Sequence, residues 1–359
     1  MKILHFDFDD LESPTAGGQA VRTFEINRRL VKKGHHVTVV TLTYPGAKNK
    51  IREGIHYIRC GTKRYPLNFI SYFLSVPFLL WRHKFDLIIE ENIPPGSFGL
   101  SPIYTRKPVI SQVQSLFGRQ SSEKHHIPFW IFEKHAAKLY KNFIVLTESV
   151  KEQIRVMNKK ARIEIIPNGI TKIYPQHHEH KKQLLFLGRI DYYHKGIDRL
   201  INIAKMLQTG LPDYKIIIAG DGRDREKMEQ QIKDERLSNV EYIGKIDGEK
   251  KEDLIKNSAL LLLPSNFETL PFTMLEGAAH GKPTVFFDIP NLHELIKKHI
   301  GVTVPAYDEK KFAEAVVHAV NNPAQLKLLS DNARAWARDH LWDKIVDEQE
   351  KFYQSCLQN

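Results

Sequence analysis

Strand-like apolar runs alternate with helix-like stretches from one end of the chain to the other, and this order strongly limits the possible folds. Such an alternation predicts parallel sheets whose strands are joined by crossover helices. With 359 residues, the chain is too long for one ordinary core and suits two domains of about 150–200 residues each. The pattern therefore predicts an α/β fold with two sheets in tandem.

The two halves of the chain repeat the same strand rhythm. In the first half we predict strands at 2–8, 36–42, 56–59, 87–90, 109–112, 142–146 and 163–166. In the second half they fall at 183–188, 215–219, 240–243, 260–263, 284–287 and 302–304, with apolar runs typical of strands covered on both faces. A helix is predicted over 19–33, because Gly34 offers a left-handed cap.

The repeat defines the expected domains. We predict two Rossmann-like domains that face a central cleft: 1–173, completed by a C-terminal helix at 338–359, and 183–337. Residues 174–182 are polar and rich in histidine, and we interpret them as a solvated linker rather than a metal-binding tract. Ligands of such sheets bind beyond the carboxyl ends of the strands, so the loops there should carry the site.

The loop after the first strand of the second half carries two cations. Gly188 and Arg189 end that strand, and Lys195 and Gly196 open the next predicted helix. Arg189 can fork onto two phosphate oxygens, Lys195 can act as a point charge, and a helix N-terminus adds N–H groups. We interpret the pair as a diphosphate clamp; the alternative is two solvated surface cations.

Two glutamates follow the buried run at 260–264. Pro271 suits the first turn of a helix, so Glu268 should lie in the loop and Glu276 about one and a half turns into the helix. A loop carboxylate can accept hydrogen bonds from sugar hydroxyls, and a helix carboxylate can bind both hydroxyls of a ribose. The alternative is one exposed loop glutamate and one ordinary helix glutamate.

Glycines and acids follow the first strand of the chain. The adjacent Gly17 and Gly18 allow close approach of the backbone to a ligand. The segment is not the three-glycine dinucleotide fingerprint, which disfavours nicotinamide or flavin binding. Asp7, Asp9 and Asp10 could indicate a metal, but we interpret them as hydrogen-bonded loop acids.

Charge and composition exclude several classes of function. The net charge of +11 fits a phosphorylated ligand or an anionic membrane surface. Nucleic acid is disfavoured, because the sequence has neither zinc-finger spacing nor an aromatic-basic RNA-binding box. Two cysteines, Cys60 and Cys356, indicate no disulfide framework, and the first residues show no secretory signal, so we expect a cytoplasmic protein.

The most apolar run, 69–81, is broken by Pro77 and followed by Arg82, His83 and Lys84. It is shorter than the roughly 20 residues that a membrane-spanning helix needs. One interpretation is a buried crossover helix. The other is a helix that rests on an anionic membrane surface, which would make the protein peripheral on the inner face of the cell membrane.

Several motifs together resemble the retaining glycosyltransferases of family four, which have the GT-B fold of two facing Rossmann-like domains. The resemblance covers nearly the whole chain, and the order and spacing of the motifs are more specific than any one of them. The matching residues are Ala16-Gly17-Gly18, Arg29-Leu30, Gly34-His35, Ile166-Pro167-Asn168-Gly169, Gly188-Arg189, Lys195-Gly196, Gly220-Asp221-Gly222, Glu268, Glu276, Gly281-Lys282-Pro283-Thr284-Val285 and Glu294.

The resemblance implies roles for these residues. Arg189 and Lys195 would bind the diphosphate of a UDP- or GDP-linked sugar, and Glu276 would hold the nucleotide ribose. Glu268 would face the transferred sugar and, with the two cations, support catalysis. The other donor-binding candidates are Gly17, Gly18, Gly188, Leu270 and Phe272, and the acceptor-side candidates are Gln19, Arg22 and Gln114. The family needs no metal for catalysis, so no metal and no other cofactor are expected.

Two segments depart from the family pattern. Gln114 stands where many relatives carry a histidine followed by an aspartate, and a glutamine can hydrogen-bond a sugar but cannot take a proton. The glycine-rich stretch common just before the family's last glutamate is replaced by Asp288-Ile289-Pro290-Asn291. The second difference affects the expected contacts to the donor sugar.

The predicted reaction moves a hexose or N-acetylhexosamine from a nucleoside diphosphate sugar to a hydroxyl of a glycan, lipid-linked or small-molecule acceptor, with retained anomeric configuration. Envelope polysaccharide or glycoconjugate biosynthesis is the expected setting. The alternatives are a sugar-nucleotide epimerase or a phosphorylase of the same fold, and a non-catalytic membrane-surface protein held by its basic charge.

Overall fold

The structure is a computed structural model that describes residues 1–13, 16–62, 64, 67–92, 99–116, 118–175 and 180–358. It divides into two compact units, one formed by Met1–Asn168 and Trp342–Asn359 and the other by Gly169–Leu341. Each unit is built on one sheet with crossover helices, so the predicted α/β fold with two Rossmann-like units is confirmed.

The first unit contains an eight-stranded sheet. Its strands are β1 (Lys2–Phe6), β2 (His36–Leu42), β3 (Lys50–Arg52), β4 (Ile55–Cys60), β5 (Leu87–Glu91), β6 (Val109–Val113), β7 (Asn142–Val145) and β8 (Arg162–Ile165). They are ordered β3-β4-β2-β1-β5-β6-β7-β8, and all neighbours are parallel except β3 and β4. β3 was not predicted, because a three-residue edge strand with one apolar residue has no sequence period to detect.

Among the described residues of the first unit, six helices precede the second unit in the chain. They are α1 (Gly18–Lys32), α2 (Leu67–Arg82), α3 (Ser101–Tyr104), α4 (Gly118–His125), α5 (Phe129–Ala136) and α6 (Glu148–Met157), with a 3₁₀ turn at Ala137–Leu139. Tyr72 and Val76 of α2 and Val150 and Ile154 of α6 repeat every four residues, so each pair lies on one face of its helix. These side chains are buried together with the apolar face of the sheet.

The second unit contains a six-stranded sheet in which every neighbouring pair is parallel. Its strands are β9 (Gln183–Leu187), β10 (Lys215–Ala219), β11 (Val240–Gly244), β12 (Leu260–Leu263), β13 (Thr284–Phe287) and β14 (Gly301–Val304), ordered β11-β10-β9-β12-β13-β14. Every residue of β12 and β13 is buried, as the continuous apolar runs predict for strands covered on both faces.

The helices of the second unit are α7 (Tyr192–Lys195), α8 (Ile197–Gly210), α9 (Arg225–Asp234), α10 (Gly248–Asn257), α11 (Phe272–Ala279), α12 (Glu309–Val320) and α13 (Pro323–Arg338), with a 3₁₀ helix at His293–Lys298. The last helix, α14 (Trp342–Leu357), returns to the first unit and packs against α1. In the parts of the chain that the structure describes, no helix has the length and apolar character needed to cross a bilayer.

The domain boundaries differ from the predicted ones. The first unit ends at Asn168 rather than at 173, because the Ile170 N–H donates to His340 O at 2.7 Å and the Tyr174 N–H donates to Ala279 O at 3.0 Å. The chain returns to the first unit at Trp342 rather than at 338. The helical spacing of the tail belongs to two helices, since α13 ends at Arg338 before α14 begins.

The predicted linker, 174–182, is part of the second unit wherever the structure describes it. The Lys181 N–H donates to Asn257 O at 2.8 Å, and this bond ties the segment to the end of α10. Residues 176–179, which include two of the histidines, lie outside the described residues.

Candidate functional site

The strand order of the second sheet reverses between β9 and β12. β9 and β12 are adjacent, but the chain continues from β9 to β10 on one side and from β12 to β13 on the other. The loops that follow β9 and β12 therefore start side by side and run in opposite directions. Ligands of open parallel sheets bind at such a switch point. The loop after β9 carries Arg189 and Lys195, and the loop after β12 carries Glu268.

Lys195 and Glu268 meet across this switch point. Lys195 Nζ donates to Glu268 Oε1 at 2.5 Å, and Ser265 Oγ donates to the same oxygen at 2.8 Å. The Lys195 side chain is 18% exposed and the Glu268 side chain 8%. The structure therefore brings together the cation and the acid that the sequence predicted to share one ligand.

Backbone hydrogen bonds join the loop after β9 to the loop after β12. The N–H groups of Asn266 and Phe267 both donate to His194 O, at 3.0 and 3.3 Å. Gly196 has a φ of 61°, and a Cβ there would lie 2.2 Å from Pro264 O, so the contact requires glycine. Lys195 does not open a helix as predicted: it ends the one-turn helix α7, and Gly196 caps α8.

Arg189 adds an exposed cation to the same loop. Burial lowers the pKa of His194, and the charges of Arg189 and Lys195 lower it further, against the opposing Asp191 carboxylate. Burial raises the pKa of Asp191, but the hydrogen bond from the His194 N–H at 2.9 Å and the nearby cations outweigh this effect. The pKa of Asp191 is therefore lowered. Arg189 and Lys195 are thus both close enough to His194 for their charges to lower its pKa.

Helix α11 begins beside the end of β9. Thr273 Oγ1 donates to Leu187 O at 2.8 Å, which sets the first turn of α11 next to Gly188. The helix starts directly after Pro271, close to the prediction. A helix amino end favours anions, so this turn complements Arg189 and Lys195.

Glu276 lies in the second turn of α11 and accepts a hydrogen bond from Lys251 Nζ of α10 at 2.7 Å. Both side chains are partly exposed, Glu276 by 27% and Lys251 by 30%. The described hydrogen bonds do not join Glu276 to Lys195 or Glu268. Nothing in the sequence marks Lys251 as a partner of Glu276, because its run of charged residues is typical of any solvated helix.

The remaining donor-binding candidates surround these residues. Leu270 is buried and Phe272 half-buried, on either side of Pro271. A Cβ built at Gly188 would lie 3.9 Å from Lys195 Cε, so Gly188 lies directly beside the lysine side chain. Gly220 packs closely against the backbone of Gly188, since a Cβ at Gly220 would lie 1.8 Å from Gly188 O.

The first sheet has a corresponding reversal between β1 and β5, and an acid lies at each strand end. Asp7, directly after β1, accepts hydrogen bonds from Gln19 Nε2 at 2.7 Å and from the Asp9 N–H at 2.9 Å. Asp9 Oδ2 in turn accepts from the Gly17 N–H at 2.7 Å. The interpretation of these residues as hydrogen-bonded loop acids is confirmed, and Gly17 and Gln19 lie among them.

Glu91, the last residue of β5, was not identified from the sequence. It is buried, lies 3.3 Å from His5 Nε2, and accepts hydrogen bonds from the side-chain amides of Gln112 and, at 3.4 Å, Gln114. Burial raises the pKa of Asp7 well above its usual range, and the charge of Glu91 raises it further. Gln19 and Gln114, two of the acceptor-side candidates, therefore each donate to one member of a buried carboxyl pair.

Arg22, the third acceptor-side candidate, is fully buried. Its guanidinium donates to Ile166 O at 3.0 Å, to Pro167 O at 2.5 Å and to Gln349 Oε1 of α14 at 2.9 Å. The prediction that Arg22 contacts an acceptor is wrong, because these bonds anchor the C-terminal helix and leave no exposed surface. Gly18 is the first residue of α1, four positions before Arg22.

A surface pocket of about 200 Å³ opens at the carboxyl ends of β1 and β2. It is lined by Phe8, Asp9, Asp10, Ser13, Leu42, Thr43, Tyr44, Pro45 and Asn68. Asp10 also accepts hydrogen bonds from Thr41 Oγ1 and Arg59 Nε, at 2.9 and 2.8 Å. In the described ranges, no three histidine, cysteine, aspartate or glutamate side chains are grouped so that they could hold a metal ion.

Two family models match the chain in succession. Glycosyltransferase Family 4 matches residues 16–172, and Glycosyl transferases group 1 matches residues 171–336. The chain belongs to the family four glycosyltransferases. The predicted family is confirmed, and the second match spans Arg189, Lys195, Glu268 and Glu276 of this glycosyltransferase.

A curated relative aligns with almost the whole glycosyltransferase. The phosphatidylinositol N-acetylglucosaminyltransferase gpi3 subunit of Schizosaccharomyces pombe is 24% identical over 378 residues, which is 98% of this chain and 80% of the relative. The name of that protein, like the family match, identifies a sugar-transferring enzyme.

Solved structures show the fold of this glycosyltransferase. Sucrose-phosphate synthase from Thermosynechococcus elongatus superposes with a TM-score of 0.86 at 19% identity, over 99% of this chain and 98% of that one. HepE from Anabaena, in complex with UDP, superposes with a TM-score of 0.77 at 16% identity, over 99% of this chain and 100% of that one. At these identities the likeness concerns the fold alone.

Proposed function

We propose that this glycosyltransferase moves a hexose or N-acetylhexosamine from a UDP- or GDP-linked sugar to an acceptor hydroxyl and retains the anomeric configuration. The observation that carries the proposal is the Lys195–Glu268 pair beside Arg189, at the switch point of the second sheet. The relative named as an N-acetylglucosaminyltransferase and the UDP complex of HepE support the choice of donor.

The diphosphate binds Arg189 and Lys195 in this proposal. Negative charge develops on the diphosphate as the sugar leaves, and preorganised cations and helix amides stabilise it most at that moment. Each such group is worth on the order of 10²–10³ in rate. The two cations carry this role together with the first turn of α11, and the proposal includes no metal.

Donor binding divides the Lys195–Glu268 pair between two parts of the substrate. Lys195 turns to the diphosphate, and the Glu268 carboxylate, still held by Ser265 Oγ at 2.8 Å, accepts hydrogen bonds from the sugar hydroxyls. Glu276 accepts hydrogen bonds from the two ribose hydroxyls while Lys251 balances its charge. Each acid thus keeps a polar partner in the donor complex.

The chemical step exchanges one glycosidic bond for another. The bond from the anomeric carbon to the leaving phosphate oxygen breaks, and a bond to the acceptor oxygen forms on the same face of the sugar. The acceptor proton passes to the leaving phosphate oxygen. This route suits a site in which Gln114 stands at the position of a titratable residue, because a glutamine cannot take a proton.

The acceptor binds the first unit in this proposal. Gln19 and Gln114 offer amide groups beside the Asp7–Glu91 carboxyl pair, and the pocket around Asn68 is large enough for a polar group of the size of a sugar ring. A glycan, a lipid-linked sugar or a small molecule has the required hydroxyl. The name of the S. pombe relative, a phosphatidylinositol N-acetylglucosaminyltransferase, favours a lipid-linked acceptor.

We also propose that the enzyme is cytoplasmic and peripheral on the inner face of the cell membrane, where it contributes to envelope polysaccharide or glycoconjugate synthesis. The net charge of +11 supports this placement, because the inner leaflet is anionic.

A donor screen tests the proposed function. Purified protein is titrated with UDP- and GDP-linked hexoses and N-acetylhexosamines, and the anomeric configuration of any product is read by NMR. The proposal requires saturable binding of at least one donor and a product with the donor's configuration. An inverted product would overturn the retaining mechanism, and conversion of the donor without acceptor would indicate an epimerase.

A further inference from the structure

Helix α2 has apolar side chains on two faces. One face, which includes Tyr72, Val76 and Leu79, is buried in the core of the first unit. A crossover helix needs only this face to be apolar, and its other side is normally polar. The sequence of α2 instead remains apolar on both sides, with Arg82 as its only charged residue.

The outer face of α2 presents an exposed stripe of five large side chains. Its residues are Leu67 (50% exposed), Ile70 (56%), Leu74 (74%), Phe78 (54%) and Trp81 (83%). They are spaced by three or four residues, so they form one line along the helix, about 21 Å long at 1.5 Å per residue. We call this set the α2 stripe.

A neighbouring helix also exposes large apolar side chains. The short helix α3 packs against α2, and its Ile103 and Tyr104 are 59% and 51% exposed. Apolar residues exposed singly are ordinary, but a contiguous set of this kind marks an interaction surface.

The charges around the α2 stripe identify its partner. Between Gly61 and Phe85 the sequence contains two lysines, two arginines and no aspartate or glutamate. Arg106 and Lys107, directly after α3, are exposed as well. Two copies of this surface would place like charges against each other, whereas an anionic bilayer offers hydrocarbon for the stripe and phosphate for the cations.

We propose that the α2 stripe docks the first unit on an anionic membrane surface. The helix lies in the plane of the interface, Leu74 and Trp81 enter the boundary between headgroups and acyl chains, and Arg82 and Lys84 bind lipid phosphates. Trp81 suits this position, because an indole ring is apolar with one polar edge.

The docking surface adjoins the acceptor side of the enzyme. Asn68, in the first turn of α2, lines the 200 Å³ pocket at the carboxyl ends of β1 and β2, and Leu67 begins the stripe beside it. With the α2 stripe docked, this pocket opens at the height of the lipid headgroups. The role of the pocket as the acceptor site rests on the proposed function. A hydroxyl carried on a membrane lipid is thereby the acceptor class that the surface favours.

Vesicle binding by the full chain tests the docking surface. Cosedimentation is measured with vesicles of phosphatidylcholine containing 30% phosphatidylglycerol and with vesicles of phosphatidylcholine alone. We expect binding to the anionic vesicles that weakens as salt is raised, and more than tenfold weaker binding for the double variant Leu74→Glu/Trp81→Glu. The control Leu328→Glu changes an exposed leucine of α13 in the second unit (60% exposed) and should bind like the unchanged protein.

Three results would overturn the docking surface: no binding of the unchanged protein to anionic vesicles, equal binding by the double variant, or a dimer that the double variant dissociates. Thermal unfolding of each variant verifies that it is folded, as expected for substitutions at exposed positions. Binding of UDP and of GDP, measured in the same samples without vesicles, separates this test from the proposed function. Retained vesicle binding without binding of either nucleotide would overturn the function and leave the surface intact.

Discussion

Lys195 Nζ lies 2.5 Å from Glu268 Oε1, in a part-buried ion pair that joins the loops after β9 and β12. In the proposed donor complex, the diphosphate competes with Glu268 for this lysine, since both are anions that need the same N–H donors. We therefore propose that the ion pair is the resting state of the site, in which Lys195 and Glu268 neutralise each other until the donor binds. We therefore expect substitutions of Lys195 and of Glu268 to affect nucleotide binding differently.

Lys195→Ala should weaken the binding of free UDP and of the UDP-sugar alike, by about 10- to 100-fold, because it removes a charged hydrogen bond to the shared diphosphate. Glu268→Gln should leave UDP binding unchanged or tighter, because a neutral amide competes less for Lys195 than a carboxylate does, yet lower kcat by on the order of 10²–10³. Calorimetric titration and initial rates measure both effects. Glu309→Gln, which removes another ion pair of the second unit, with Arg199 at 3.0 Å, serves as the control and should change neither.

Glu276→Gln should reduce the enzyme's discrimination between UDP and 2′-deoxy-UDP. The unchanged protein should bind UDP about tenfold more tightly than the deoxy form, because a carboxylate accepts a strong hydrogen bond from the ribose 2′-hydroxyl. In the variant both ligands should bind with similar affinity. If the preference for UDP survives the substitution, Glu276 does not hold the ribose.

Gly220→Ala should disrupt the proposed donor site, whereas Gly244→Ala should not. Gly220 has a φ of 146°, and a Cβ there would lie 1.8 Å from Gly188 O, so the loop after β9 would have to move. Gly244→Ala is the matched control: its φ of 74° is also positive, but a Cβ there meets nothing within 4 Å. We expect about 1–2 kcal/mol of lost stability for the control and a larger loss, with loss of UDP binding, for Gly220→Ala. Equal losses in urea unfolding would contradict the close approach.

Glu90 of β5 should make stability depend on pH. Burial raises the pKa of Glu90 to about 7, although Tyr140 Oη at 2.5 Å and Ser101 Oγ at 2.9 Å donate to it and act in the opposite direction. Its ordinary pKa is about 4.3, so between these values the folded protein keeps a proton that the unfolded chain has released. The Glu90 contribution is thus complete below the unfolded pKa and is lost as the pH rises through about 7.

Glu90→Gln should remove this dependence. Relative to the unchanged protein, the free energy of unfolding of the variant should rise between pH 5 and pH 8, by on the order of 3 kcal/mol. Urea unfolding at both pH values measures the difference. The control Glu152→Gln, at an exposed position of α6, should show no such change. If the difference in free energy of unfolding between Glu90→Gln and the unchanged protein is the same at both pH values, the pKa of Glu90 is not raised by burial.

The sequence predicted most of the fold because its strands are nearly continuous apolar runs. The strands at 36–42, 215–219, 260–263 and 284–287 agree with the structure to the residue. Lys195 and Glu268 could be predicted to meet, since both follow strands that flank a switch point of a parallel sheet. Sequence position alone sufficed there, because the topology of the unit decides which loops are neighbours.

Other features depend on contacts between residues distant in the chain. Lys251 approaches Glu276 only because α10 and α11 are neighbours, and nothing in the lysine-rich run of α10 marks it. The burial of Arg22 follows from the return of α14, whose Gln349 lies 327 positions further along the chain. A sequence pattern reports local periodicity, so it reveals neither partner.

A crystal structure of the protein with bound UDP would show whether Arg189 and Lys195 hold the diphosphate. We expect a diphosphate whose oxygens lie within about 2.7–3.2 Å of Lys195 Nζ and of the Arg189 guanidinium, with the ribose hydroxyls on Glu276 and the Lys195–Glu268 pair opened. A nucleotide bound elsewhere, or a diphosphate that leaves Lys195 on Glu268 and contacts neither cation, would contradict it.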